Sequence, residues 1–156
     1  MVGRGDGHEI DYSQITENIY VGSDLCNGPV CPVHGKDFER LGICGEINLE
    51  DEHPETPPKN LNAYLWMPVP DRGAPRLDQL MIGSAAMNEM VKLENVVYVH
   101  CKNGHGRSPT MVAAYLMRYK GMDRDGAIKF IKEKRPEIHI EEAQKKALEE
   151  FAKQWK

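Results

Sequence analysis

The sequence has little of what marks membrane-spanning, secreted or nucleic-acid-binding proteins. No run approaches the roughly 18 apolar residues of a membrane span, and residues 1–10 lack the apolar stretch of a secretory signal. Lys and Arg number 20 against 24 Asp and Glu, so the net charge is −4. This balance argues against a general nucleic-acid binder. We therefore expect a cytoplasmic protein with no membrane span and no nucleic-acid partner.

Cysteine is also scarce, with four residues in a chain of 156. In a reducing cytoplasm these cysteines favour core, metal-binding or nucleophilic roles over a disulfide framework. The spacing Cys26-x4-Cys31-x2-His34 would suit zinc, but the paired Cys-x2-Cys spacing of structural zinc sites is missing. We interpret residues 23–36 as an ordinary loop rich in Pro and Gly, and we expect no metal or cofactor.

The length favours one domain, over residues 11–156, after a flexible glycine-rich N-terminal tail at residues 1–10. Apolar patterns predict two short strands around a turn at residues 17–18, and further strands at 43–49, 63–69 and 96–99. They predict helices at 37–41, 77–91, 107–119, 124–134 and 141–154. This alternation predicts an α/β fold with a central, mostly parallel twisted sheet flanked by helices.

The most informative segment follows the apolar strand at residues 96–99 and reads His-Cys-Lys-Asn-Gly-His-Gly-Arg-Ser over residues 100–108. Gly104 and Gly106 permit backbone angles that turn successive N–H groups inward, which forms a nest for an anion. The helix that begins at Arg107 adds free N–H groups and a partial positive charge. The Arg107 guanidinium can bind two phosphate oxygens at once. The segment therefore predicts a phosphate-binding loop.

The same electric field acts on Cys101. Free cysteine is only a few per cent thiolate at neutral pH, and a helix N-terminus with nearby cations favours the thiolate. A buried inert thiol is the alternative for an isolated cysteine, but the order of strand, cysteine, glycines, arginine and helix favours a nucleophile. A P-loop for nucleotides does not fit, because its Gly-Lys-Ser or Gly-Lys-Thr ending is absent.

The spacing Cys101-x5-Arg107, preceded by histidine and followed by serine, resembles the motif of the cysteine-dependent protein tyrosine phosphatase superfamily. The small dual-specificity branch is the most similar, because residues 15–23 resemble its opening strands and residues 121–136 resemble its helix after the active site. The resemblance implies a phosphatase fold and metal-independent hydrolysis of phosphomonoesters through a phosphocysteine intermediate.

The resemblance also assigns roles to individual side chains. Asp71, in the segment Pro68–Pro75, is expected to be the general acid; an aspartate in a Pro-Asp-x-Gly surface turn is the alternative. Ser108 is expected to stabilise the thiolate as it leaves. The expected catalytic residues are thus Cys101, Arg107, Asp71 and Ser108. The expected phosphate-binding residues are Lys102, Asn103, Gly104, His105 and Gly106.

Two further residues have open interpretations. Asn48 resembles an asparagine that braces the phosphate loop in relatives, and a strand-end residue that caps its own turn is an equal alternative. Gln144 resembles a glutamine that positions water, although a solvated helix residue is the favoured interpretation.

The substrate class follows from the resemblance as well. The long tyrosine-recognition loop of larger relatives has no visible counterpart, which implies a shallow cleft open to phosphotyrosine, phosphoserine and phosphothreonine in proteins or peptides. Lys102 and His105 make the loop basic, so a phosphoinositide or inositol phosphate is the alternative substrate. A phosphopeptide-binding module without activity is disfavoured, because Cys101, Arg107 and Asp71 are all present.

Overall fold

The structure is a computed structural model that describes residues 11–24, 32–52 and 55–154, with the backbone alone for residues 32–35. The tail proposed at residues 1–10, Cys26, Cys31 and the side chain of His34 therefore lie outside the described residues. The strands are β1 (Tyr12–Thr16), β2 (Ile19–Gly22), β3 (Ile43–Glu50), β4 (Ala63–Val69) and β5 (Val96–His100). The helices are α1 (Pro32–Leu41), α2 (Leu77–Lys92), α3 (Arg107–Lys120), α4 (Arg124–Lys134) and α5 (Glu142–Ala152).

The five strands form one sheet in the order β1-β2-β5-β3-β4. β1 pairs with β2 in antiparallel fashion, and the other neighbours are parallel. This arrangement confirms the predicted α/β fold with a mostly parallel sheet. β5 lies in the middle, with its last residue, His100, beside Gly22 on one neighbour and Asn48 on the other. The segment after β5 therefore leaves the centre of the sheet.

Side chains of β5 alternate between two hydrophobic clusters, as expected for a strand. Val97 and Val99 belong to the larger cluster, which also contains the buried faces of α2, α3, α4 and α5. Tyr98 belongs to a smaller cluster with Phe38 of α1. Helices thus flank the sheet on both faces. α3 is buried along almost its whole length, and it is placed directly behind the carboxyl end of β5.

Most predicted boundaries are confirmed to within two residues, and β4 and α4 coincide with the prediction. The exception is α1, which begins at Pro32, although residues 32–36 were predicted to belong to a loop. Proline is tolerated in the first turn of a helix because its missing N–H has no partner there. α5 ends at Ala152, two residues before the predicted end. Within the described ranges, no helix has the length and apolar character needed to cross a bilayer.

Candidate active site

The loop after β5 surrounds a cavity of about 230 Å³. Cys101 lines this cavity, and only 2% of its surface is exposed. The loop turns sharply at Gly104, where φ is +74°. A Cβ atom at this position would lie 2.6 Å from the carbonyl carbon and oxygen of Gly22. Both the backbone angle and the contact with β2 therefore require glycine here.

A hydroxyl group accompanies the thiol of Cys101. The Sγ atom lies 3.3 Å from Oγ of Ser108, in the first turn of α3. Ser108 is completely buried, so its hydroxyl is held within the helix terminus. A hydroxyl at this distance can donate a hydrogen bond to a thiolate. The geometry suits stabilisation of negative charge on sulfur.

The guanidinium of Arg107 is 3% exposed and fixed on one side. Its Nη1 donates to Glu52 Oε1 at 2.9 Å and to the carbonyl oxygen of Val69 at 2.8 Å. Its Nη2 donates to Glu52 Oε2 at 2.9 Å. An arginine has five N–H groups, and these bonds use three. Among the described residues no hydrogen bond uses Nε or the second N–H of Nη2, and Oδ1 of Asp71 lies 3.4 Å from Nη2.

Charge pairing stabilises both ionised partners. Burial alone would lower the pKa of Arg107, but the hydrogen bond with Glu52 and the charges of Cys101, Glu52 and Asp71 outweigh it and raise the pKa. Burial alone would raise the pKa of Glu52, and pairing with Arg107 outweighs it and lowers the pKa. The arginine is therefore a permanent cation at the cavity wall.

Asp71 lies on a tight turn above the cavity. The N–H of Gly73 donates to the carbonyl oxygen of Pro70 at 2.8 Å, and Arg72 has a φ of +65°. This left-handed conformation is uncommon for a residue other than glycine and marks a constrained backbone. The turn brings Oδ1 of Asp71 to 3.4 Å from Nη2 of Arg107.

A second arginine holds the outer side of the loop that follows β5. Arg135 is completely buried, and its Nε and Nη2 donate to the carbonyl oxygens of Gly104 and Asn103 at 2.8 and 3.1 Å. Its remaining N–H groups bind the carboxylate of Asp11 and the hydroxyl of Ser13. All five N–H groups thus have partners. Because these loop carbonyls point outward, the adjacent peptide N–H groups are free to point toward the cavity.

A buried charge cluster lies next to Cys101. His100 Nδ1 lies 3.2 Å from the carbonyl oxygen of Cys101, and Nε2 lies 2.7 Å from Glu46 and 3.0 Å from Glu55. Carbonyl and carboxylate oxygens accept, so the imidazole donates from both nitrogens. Burial alone would lower the pKa of His100, but hydrogen bonds to the two carboxylates outweigh it and raise the pKa well above its usual value.

The sequence of residues 31–154 matches the family described as dual specificity phosphatase, catalytic domain. The match covers more than half of the chain. The chain belongs to the dual specificity phosphatase family.

Curated relatives of this family domain include lipid phosphatases by name. The chain is 30% identical over 122 residues to phosphatidylglycerophosphate phosphatase PTPMT2 of Arabidopsis thaliana, which covers 74% of the chain and 54% of that protein. It is 43% identical over 82 residues to phosphatidylglycerophosphatase and protein-tyrosine phosphatase 1 of Homo sapiens, which covers 53% of the chain and 41% of that protein. The chain thus spans about half the length of these relatives.

Solved structures of phosphatases share the fold. The crystal structure of PTPMT1 in complex with PI(5)P has a TM-score of 0.77 and 28% identity, and the alignment covers 91% of this chain and 94% of that chain. The crystal structure of human DUSP28 has a TM-score of 0.77 at 23% identity, and the alignment covers 91% of this chain and 93% of that chain. The sheet and the flanking helices are therefore those of the family.

The phosphatase domain brings most of the residues expected from the sequence around one cavity. Of the expected set, the lining contains Cys101, Arg107, Asp71, Asn103, His105 and Gly106. Ser108 lies behind Cys101, and Gly104 faces β2 instead. Lys102 is exposed and is not among the described residues that line the cavity.

Several residues that contact the site were not predicted from the sequence. Glu52 binds Arg107, and Arg135 binds the loop after β5. Both pairs are far apart in the sequence, and no local pattern marks either residue. Gln144 was expected to be solvated, but it is completely buried and lines the cavity. Asn48 accepts the N–H of Glu50 at 2.8 Å, so it caps its own turn.

Two groups of side chains in the described parts of the chain have the spacing of metal ligands. One consists of Glu46, Glu55 and His100, whose nitrogen already binds both carboxylates. The other consists of Asp11, His105 and Glu137. Arg135 lies within ion-pair distance of both of its acids, at 3.2 and 3.6 Å. A cation in the second group would be repelled by this guanidinium.

Proposed function

We propose that this domain, over residues 11–156, hydrolyses phosphomonoesters with Cys101 as the nucleophile. The observation that carries the proposal is that the Cys101 thiol and the Arg107 guanidinium line one cavity, and that Glu52 binds the two terminal nitrogens of Arg107 and not its Nε. Nε and Nη2 of an arginine bind two oxygens of a phosphoryl group side by side. The N-terminus of α3 adds partial positive charge at the same place. Such a site binds a phosphate dianion next to a nucleophile.

The proposed reaction has two steps. The Cys101 thiolate attacks phosphorus, an S–P bond forms, and the P–O bond to the leaving group breaks as Asp71 donates a proton to the departing oxygen. Water then attacks the phosphocysteine and gives its proton to the Asp71 carboxylate. Inorganic phosphate leaves, and the hydroxyl of Ser108 stabilises the returning thiolate. Arg107 and the loop N–H groups bind the equatorial oxygens in both steps, and no metal takes part.

The substrate we propose is a phosphorylated protein or peptide that carries phosphotyrosine, and also phosphoserine or phosphothreonine. The cavity is small, about 230 Å³, and its lining residues Asp71 and Arg72 are exposed. A shallow opening accepts short as well as long phosphorylated side chains. The nucleophile must stay reduced, which favours the cytoplasm as the site of action.

A phosphoinositide or inositol phosphate is the second candidate substrate. Arg72, His105 and His139 all line the cavity, and basic side chains there would bind a further phosphate group. The similar structure of PTPMT1 contains PI(5)P, and relatives are named as phosphatidylglycerophosphate phosphatases. These names describe the relatives and support the candidate for this chain by analogy.

Hydrolysis by the wild-type domain and by Cys101→Ser, with a chelator present, tests the proposal. p-Nitrophenyl phosphate reports the chemistry, and a panel of phosphopeptides, inositol phosphates and phosphoinositides reports the substrate class. We expect wild-type turnover that survives the chelator and disappears in Cys101→Ser. Turnover by Cys101→Ser, or loss of wild-type turnover with the chelator, would contradict the proposed mechanism. Higher kcat/KM for lipids than for every phosphopeptide would favour the second candidate.

A further inference from the structure

Two buried glutamines contact the segment that carries Asp71. Gln79 and Gln144 occupy the third position of α2 and α5, and they are 6% and 0% exposed. Glutamine is mostly found on protein surfaces. A buried side-chain amide needs partners for its oxygen and for its NH2 group. The partners of these two amides therefore indicate what the side chains do.

Each amide oxygen caps the helix that carries it. Oε1 of Gln144 accepts the N–H of Glu141 at 2.8 Å, and Oε1 of Gln79 accepts the N–H of Arg76 at 2.9 Å. Both contacts belong to capping boxes at the start of a helix. The oxygen contacts fix the orientation of each amide, so the NH2 group points away from its own helix.

The two NH2 groups bind the backbone on either side of Asp71. Nε2 of Gln144 donates to the carbonyl oxygen of Gly73 at 3.0 Å, and Nε2 of Gln79 donates to that of Pro68 at 3.1 Å. Gly73 also closes the turn that contains Asp71. The start of each helix thus holds one end of the segment.

Gln144 also lies against the phosphate loop. A Cβ atom built on Gly106 would lie 3.3 Å from both terminal atoms of the Gln144 amide. The side chain therefore joins α5, the segment of Asp71 and the phosphate loop at one point. Asp71 itself has a side chain that is 66% exposed, with an ion pair to Arg107 at 3.4 Å. Its position over the cavity must therefore come largely from the backbone.

We propose that Gln144, supported by Gln79, is a positioning residue that holds Asp71 in place for protonation of the leaving group. This inference rests on the proposed function, because it assigns Gln144 to the first chemical step. Positioning matters because a displacement of about 1 Å at a reacting group can lower the rate roughly 100-fold. Orientation of the attacking water in the second step is a different role for the same side chain, and the experiment separates the two.

The test compares Gln144→Glu, Gln144→Met and Gln154→Glu. Gln144→Glu keeps the oxygen that caps α5 and removes the NH2 group that binds Gly73, and Gln144→Met is a neutral variant of similar length. Gln154→Glu is the matched control, because the exposed Gln154 donates to the carbonyl oxygen of Glu150 at 3.3 Å, away from the cavity. The substrates are phenyl phosphate, whose phenol is a poor leaving group, and p-nitrophenyl phosphate, whose p-nitrophenol is a good one.

We expect both Gln144 variants to lower kcat/KM for phenyl phosphate by about tenfold or more, because a displaced general acid loses part of its typical 10²–10⁴-fold effect. For p-nitrophenyl phosphate we expect Gln144→Met to change kcat/KM by less than about threefold, because this leaving group needs little protonation. Gln144→Glu also adds a negative charge to the cavity, so it should lower kcat/KM for both substrates further. Gln154→Glu should match the wild type on both substrates. Amide hydrogen exchange of residues 70–76 should be faster in the Gln144 variants and unchanged in the control.

An equal loss of kcat/KM on both substrates in the neutral variant Gln144→Met would overturn the proposal. So would a burst of phenol with accumulated phosphocysteine, which would assign Gln144 to the second step. Failure of the proposed function gives a different result, namely no wild-type turnover of either substrate or full turnover by Cys101→Ser. In that case hydrogen exchange still tests whether Gln144 holds the segment that carries Asp71. Faster exchange at residues 70–76 in the Gln144 variants supports this role, and unchanged exchange overturns it.

Discussion

Glu52 binds Arg107 end-on, with one carboxylate oxygen 2.9 Å from each terminal nitrogen of the guanidinium. The paired geometry fixes the plane of the guanidinium as well as its position. The carbonyl oxygen of Val69 takes the other Nη1 hydrogen, so these two acceptors leave the edge formed by Nε and the second Nη2 hydrogen. In the proposed function, Glu52 thereby determines which edge of the arginine meets the phosphoryl group.

Removal of this carboxylate should impair catalysis more than stability. We expect Glu52→Ala to lower kcat/KM for p-nitrophenyl phosphate by roughly 10- to 100-fold, because an unheld guanidinium loses its orientation. Asp51→Ala is the comparison, because its carboxylate lies 3.9 Å from Nη1 and is 37% exposed. We expect a change of less than about threefold for that variant. Equal effects of the two substitutions would show that charge, and not orientation, is what Glu52 contributes.

Replacement of Arg135 tests whether its hydrogen bonds to the carbonyl oxygens of the loop after β5 contribute to stability and activity. Arg135→Lys keeps a positive charge near Asp11 but cannot reach the carbonyl oxygens of both Asn103 and Gly104. We expect a loss of about 2–3 kcal/mol in the free energy of unfolding, measured with urea, from the lost charged hydrogen bonds. We also expect kcat/KM to fall at least about tenfold under conditions where the variant is fully folded. A folded variant with full activity would argue against the anchoring role.

Ser108 should affect the second step of the reaction. Its hydroxyl lies 3.3 Å from the Cys101 sulfur, and in the proposed reaction the thiolate is the leaving group when water attacks the phosphocysteine. We expect Ser108→Ala to lower kcat about tenfold or more while kcat/KM stays nearly constant, with a burst of product in the first turnover. Ser84→Ala, which removes another buried hydroxyl, should produce no burst. Equal loss of kcat and kcat/KM in Ser108→Ala would place its effect before the intermediate.

Stability should depend on pH through Glu50. Burial raises the pKa of this carboxyl from 4.5 to about 8, and the negative charge of Asp24 adds to the shift. Between these pH values the folded state binds more protons than the unfolded chain, so the free energy of unfolding falls as pH rises from about 4.5 to 8. Glu50→Gln replaces the protonated carboxyl with a neutral side chain of similar shape. It should match the wild type near pH 5 and exceed it near pH 8.5.

Denaturant unfolding at both pH values measures this difference. Glu89→Gln is the control, because Glu89 lies on the exposed face of α2. We expect no comparable change with pH for this variant. If Glu50→Gln were less stable than the wild type at pH 8.5, the buried carboxyl would have to be ionised and paired there.

Most strands and helices could be predicted from the sequence, because apolar runs and helix-breaking residues mark them locally. The apolar run at residues 96–99 and the helix breaker Gly121 after α3 mark their elements without tertiary context. The first turn of α1 was missed because Pro32 and Gly35 resemble loop residues. A helix of this composition depends on packing, here of Phe38 against Tyr98, and packing partners are not visible in a local window.

In the candidate site too, residues that are adjacent in the chain could be predicted, and contacts between distant residues could not. The loop from Cys101 to Arg107 is continuous in the chain, so its spacing could be read directly. Glu52 lies 55 residues from its partner Arg107, and Arg135 lies 31 residues from Gly104. A single sequence contains no signal for such pairs. Gln144 was expected to be solvated, although its position three residues after Glu141 matches an acid-x-x-Gln helix start.

The central position of β5 in the sheet constrains how the sequence of such a domain can evolve. Cys101 leaves a strand that is hydrogen-bonded on both sides, so its location is set by the most constrained part of the sheet. Arg72 and His139 also line the cavity, but their side chains are exposed. In an evolving lineage, substitutions of such exposed side chains therefore alter the cavity entrance without moving the Cys101 sulfur, which the centre of the sheet holds in place.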